Sequence, residues 1–110
     1  MTKLNNIFSD MPMHLTNESF DRILKQGGIE VERIVSKGHV TPEGQWYDQN
    51  WDEWILLLQG KAILRVQNEA KPIHLKTGDY LLLPKHCRHR VEWTEPSLET
   101  IWLAIHWRSS

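Results

Sequence analysis

Cysteine is nearly absent from this sequence: Cys87 is the only one in 110 residues. No internal disulfide can form, which fits a reducing cytoplasm. Long apolar runs are missing too. The longest aliphatic run is Ile55 to Leu58, far short of the ~20 residues of a membrane-spanning helix. The opening MTKLNNIFSDMPMHL has no apolar core of a secretory signal. The expectation is therefore a cytoplasmic chain without a membrane partner. A surplus of one charge is also absent, with 13 Lys+Arg against 14 Asp+Glu and a formal net charge of -1. Phosphate binding needs a concentration of basic residues, so no nucleic-acid partner is expected. There is no internal repeat and no low-complexity tract. The length allows one domain, which buries roughly 65% of its unfolded surface on folding.

Tryptophan is abundant. All six, Trp46, Trp51, Trp54, Trp93, Trp102 and Trp107, fall in the second two-thirds of the chain. Residues 1–15 show no period and read as an irregular arm. Thr16 or Asn17 can cap a short helix, whose apolar face is Phe20, Ile23 and Leu24 at helical spacing and whose stop is Gly27-Gly28. From Ile29 onward the pattern is strands and turns: IEVERIV, WILLL, KAILRV, PIHLK, YLLL, HRVEW and ETIWLAIHW, separated by Gly-, Pro- and Asp-bearing connections. Short strands at close spacing predict an all-β sandwich or barrel. The expected organisation is an arm and helix over 1–28, packed on a barrel over 29–110. In WILLL and IWLAIHW both faces are apolar, although a barrel wall exposed to water alternates with polar residues. The outer face is therefore expected to be covered by the arm and helix and by a second copy in a homodimer.

Two motifs carry a family resemblance. Gly44, followed by Glu53-WILLLQ-Gly60, answers to the first cupin motif, G(X)5HXH(X)3–4E(X)6G, in its glycine, glutamate, six-residue gap and closing glycine. Gly78-DYLLL-Pro84, followed by Lys85, His86 and His89, answers to the second, G(X)5PXG(X)2H(X)3N. The chain thus resembles the cupins, and the resemblance implies a double-stranded β-helix (jelly-roll) barrel. It departs at informative places. Tyr47 and Gln49 stand where metal-binding cupins place the HXH histidines, His86 replaces a glycine, and Trp93 replaces the asparagine.

The resemblance implies a cavity holding Glu53 and His89, the two family ligand positions that are kept. Strand parity adds Tyr47, Gln49, Trp51 and Trp93 to the wall, and His106 if Trp102, Ala104 and His106 face inward. A carboxylate beside an imidazole raises the imidazole pKa, so Glu53, His89 and Tyr47 are candidate proton-transfer groups. A divalent transition ion (Fe, Mn, Ni, Zn or Cu) would take Glu53, His89, Gln49 and His106 as ligands; the alternative is a metal-free pocket. Cys87 reads as a small apolar filler. His14, His39 and His74 read as solvated, and Lys85, His86, Arg88 and Arg90 as a solvated basic edge. The function expected is recognition or conversion of a small organic molecule in that cavity. A non-catalytic sensing domain and a metal-dependent oxygenase- or isomerase-type enzyme stand as alternatives.

Overall fold

The computed structural model describes residues 2–12 and 16–108; His14 lies outside the described residues. Among these residues eight strands form: β1 (Ser19–Gln26), β2 (Ile29–Ser36), β3 (Asp52–Gln59), β4 (Lys61–Val66), β5 (Ile73–Lys76), β6 (Tyr80–Leu83), β7 (His89–Thr94) and β8 (Thr100–Trp107). They build two antiparallel sheets, a five-stranded sheet ordered β1-β2-β8-β3-β6 and a three-stranded sheet ordered β5-β4-β7. Alternation puts Ile55 and Leu57 of β3, Ala62 and Leu64 of β4, Leu75, Leu83, and Trp102 and Ala104 of β8 into one core cluster.

The expected helix at Phe20–Leu24 is a strand. Gly27 and Gly28 have φ of +58° and +81°, with Gln26 facing Ile29 across the ladder. Positive φ at both central residues is the two-residue turn whose twist matches that of paired strands. The same glycines that would stop a helix instead close a hairpin. A bulge at Ile23 interrupts the β1–β2 register, which explains why the apolar spacing of Phe20, Ile23 and Leu24 mimics a helical face.

Gly60 is where the chain leaves one sheet for the other. A Cβ there would lie 2.5 Å from Thr100 Oγ1 and 2.9 Å from Thr100 Cα, and φ is +94°. Sterics and conformation both require glycine at the end of the first motif.

Part of the outer face of the large sheet is covered by residues 7–10. Arg33 projects outward from β2 and donates hydrogen bonds to the carbonyls of Ile7, Ser9 and Asp10, and it pairs with Asp21 at 2.9 Å. The buried guanidinium thereby fastens the arm across the sheet. Farther along this face Trp54 packs on Tyr80, with ring centroids 5.6 Å apart, and Tyr80 and Leu82 of β6 remain exposed.

Candidate functional site

The segment before β3 runs antiparallel to the segment leading into β7. Tyr47 and His89 exchange backbone hydrogen bonds of 2.8 and 3.1 Å, and the His86 amide donates to the Gln49 carbonyl at 2.7 Å. The Lys85 amide donates to the Asp52 carboxylate. These bonds stitch the two motif segments together and set Tyr47, Gln49, Glu53 and His89 around one cavity. The rest of its wall is mainly apolar, with Ile34, Ile55, Leu64, Leu83, Val91 and Trp102, and Phe20 and Glu18 complete the lining. Its volume is ≈ 70 Å³, well below the roughly 300 Å³ at which ordinary ligand pockets begin.

His89 is buried, and burial holds its pKa below the usual imidazole range. Its Nδ1 lies 2.9 Å from the Cys87 carbonyl oxygen. A carbonyl only accepts, so Nδ1 carries the proton and Nε2 keeps a free lone pair. The Tyr47 ring stacks on the imidazole, with centroids 5.4 Å apart. Burial, then Glu18, raise the Tyr47 pKa, and Glu53 adds a smaller push. Tyr47 is therefore a neutral phenol.

Glu53 is 8% exposed, and burial pushes its pKa up to about 7, opposed by His106 and assisted by Glu32. The imidazole that acts on Glu53 is thus His106, its partner on β8. The expected Glu53–His89 pairing does not form, and the His89 pKa moves down rather than up. Glu18, which the sequence does not single out, is also raised by burial and accepts a hydrogen bond from the Ser36 hydroxyl.

Three expected residues lie elsewhere. Trp51 is outside the cavity lining; its ring stacks on His106 at 5.0 Å. Trp93 is turned outward and exposed. The cause is a bulge: Val91 pairs with Leu64 but Trp93 with Ile63, leaving Glu92 as the extra residue, which reverses parity beyond Val91. His106 does share the inner face with Trp102 and Ala104. It contacts neither Gln49 nor His89, but lies 2.8 Å from Glu32 Oε1 and 3.2 Å from Glu30 Oε2.

Cys87 packs against the core as filler, and burial raises its thiol pKa. In the basic edge, His86 contacts Asp48 at 2.9 Å and Arg90 donates to the Thr41 carbonyl. His86 has φ of +61°, the conformation that the glycine of the family motif adopts without penalty. The residues missed from sequence are Glu18, Phe20, Glu30 and Glu32. Glu30 and Glu32 left a trace, as two carboxylates of equal parity on β2.

Two antiparallel sheets closed over an apolar core, with both motif segments at one cavity, define a small jelly-roll barrel. The cupin domain model matches residues 32–106, and the chain belongs to the cupin family. It is similar over 98% of its length to a candidate mannose-6-phosphate isomerase from Ralstonia eutropha JMP134, at 39% identity, 100% coverage of that chain and a TM-score of 0.93. A cupin superfamily protein of Desulfitobacterium hafniense DCB-2 is 16% identical with a TM-score of 0.72, covering 90% of this chain and 84% of that one. Protein TT1209 of Thermus thermophilus is 13% identical with a TM-score of 0.78, covering 97% and 98%. These two share the fold alone. No curated protein matches significantly. Among the described residues no helix is long and apolar enough to cross a membrane.

The family's metal chemistry can be tested against these donors. The motif positions offer one carboxylate and one imidazole beside a neutral phenol and a neutral amide; the second carboxylate of the wall, Glu18, bonds Ser36. Among the described residues, the one group of three or more His, Cys, Asp or Glu donors within ligating distance is Glu30, Glu32 and His106. The motif positions therefore do not fit a first-row metal centre, which needs three or four strong donors on one ion.

Proposed function

We propose that this cupin binds a small, largely apolar organic molecule bearing a carbonyl or hydroxyl group, and moves a proton on it without a metal at the motif positions. The observation that carries this reading is the convergence of Glu53, Tyr47, Gln49 and His89 on one cavity whose remaining wall is apolar apart from Glu18. Tyr47 and the Gln49 amide are donors suited to orienting a carbonyl oxygen. Glu53 and the free Nε2 of His89 are the proton acceptors. A Glu53 pKa near neutrality suits a group that must both take and return a proton. The apolar wall and small volume limit the buried part of the ligand to a few heavy atoms, with the remainder at the mouth beside Phe20.

The name of the Ralstonia relative supports an isomerase-type proton transfer more than its particular substrate. The cavity lining contains neither Lys nor Arg, and a phosphate dianion is ordinarily held by such groups. The test is exchange from D2O into small ketones and hydroxyketones, followed by NMR. Wild type is expected to incorporate deuterium beside the carbonyl, and Glu53→Gln to lose exchange while still shifting the Tyr47 and Gln49 resonances on ligand addition. Binding without exchange in wild type would leave a sensing domain. A tenfold or greater preference for phosphorylated sugars would sink the reading of the wall.

We further propose that the chain pairs with a second copy through the outer face around Trp54, Tyr80 and Leu82. Exposed large apolar side chains gathered on one sheet face support this.

A further inference from the structure

Next to the cavity, and meeting it at Glu53, the inner face of the large sheet gathers a second set of functional groups. Glu30 and Glu32 occupy alternate positions near the start of β2, His106 lies near the end of β8, and Glu53 is the second residue of β3. Ladder pairing puts Glu30 and Glu53 on either side of His106. One donor atom from each of Glu30, Glu32 and His106 lies within 4.8 Å of the other two. His106 is 7% exposed and Glu53 8%, and among the described residues no hydrogen-bond donor reaches the Glu53 carboxylate.

One imidazole nitrogen serves this group poorly. Nε2 bears at most one proton, yet two carboxylates contact it and a third faces it unpaired. A proton satisfies one lone pair, whereas a dication takes one from each donor. Trp51 covers the imidazole, and its own buried Nε1 has no hydrogen-bond partner among the described residues. Arg22 and Lys25 reach the other oxygen of Glu30 at 3.2 and 3.6 Å, but both are largely exposed. Such screened contacts orient Glu30 more than they neutralise the group.

We infer that Glu30, Glu32 and His106, none of them a motif position, form a divalent-cation site on β2 and β8, with the motif carboxylate Glu53 beside it on β3. One imidazole with carboxylate oxygens suits Mn(II), Fe(II) or Zn(II) better than Mg(II), which prefers oxygen and water, or Cu(I), which prefers sulfur. Glu53 is shared with the cavity wall, so the site is defined by Glu30, Glu32 and His106, none of which lines the cavity.

The deciding experiment titrates tag-free, chelator-washed wild-type protein with ZnCl2 while recording long-range 1H–15N spectra of the histidine rings. Stoichiometry is measured in parallel, with MnCl2 as a second probe. The expected result is one ion per chain, with a large displacement of the His106 Nε2 resonance and none for His89. Glu30→Gln and Glu32→Gln should weaken binding about tenfold or more, and His89→Ala should leave it unchanged. Because the ring spectra are read on wild type, a variant that fails to fold does not weaken the conclusion. A shift at His89 in place of His106 would move the ion to the motif positions and overturn the inference. No shift at His106 up to millimolar zinc would make the group a plain ion pair and overturn it equally.

Discussion

Glu53 carries a linkage effect that solution stability can read. Its folded pKa of about 7 lies above the ordinary 4.5, so the folded state holds the proton more tightly than the unfolded chain. The stabilisation is complete below the unfolded pKa and is lost as pH rises from about 4.5 to 7. By linkage the loss is at most about 3 kcal/mol. His89 acts in the opposite direction: its lowered pKa costs stability as pH falls below the usual imidazole value. Glu18, also raised, adds to the Glu53 slope. The informative quantity is therefore the difference between wild type and Glu53→Gln in urea unfolding from pH 4.5 to 8. Wild type should lose stability relative to the variant across that window. A difference that stays constant with pH would show that Glu53 titrates as an ordinary carboxylate.

At the scale of elements, the β1–β2 hairpin depends on its two-residue turn. Replacing Gly27-Gly28 with Asn-Gly should preserve the fold, because Asn tolerates positive φ. Ala-Ala should cost about 2–4 kcal/mol, since each L-residue forced into the left-handed region costs about 1–2 kcal/mol. Thermal unfolding of the two variants, with cross-strand amide contacts between Phe20 and Ile34, measures this. Equal stability of the two would mean that the hairpin is held by packing alone. Helical and strand readings of residues 19–26 compete on sequence because a bulge inserts one residue into an alternating pattern. The bulge in β7 has the same effect on Trp93. In both strands the apolar residues are visible in the sequence, but the side to which they point depends on pairing with a neighbour.

At the scale of the whole molecule, the outer face divides into a part fastened under the arm by Arg33 and a part carrying Tyr80 and Leu82. Burying one exposed leucine-sized side chain contributes about 1.5–3 kcal/mol, so a few such residues from each copy can outweigh the cost of association. Light scattering at micromolar concentration should give twice the chain mass, and Leu82→Glu should give the single chain with its fold intact by circular dichroism. A wild-type monomer at that concentration would leave this face without a role in assembly.

Strand content from Ile29 onward, the glycine breaks at Gly60 and Gly78, and the barrel itself were legible in the residues. These features are local: apolar alternation, positive φ at glycine and proline breaks are written in a few consecutive positions. Glu53 and His89 were legible as cavity residues because the motifs position them, and Tyr47 and Gln49 because strand parity extends from Glu53. Partner choice was not legible. Which imidazole acts on Glu53, that Glu30 and Glu32 converge on His106, and that Trp51 covers it all depend on β2, β8 and β3 lying side by side. Residues more than twenty positions apart in sequence become neighbours there only through ladder register. Sequence alone determined which chemical groups are present and the fold that holds them; tertiary structure decided which of them share a site, because burial and charge act through space rather than along the chain.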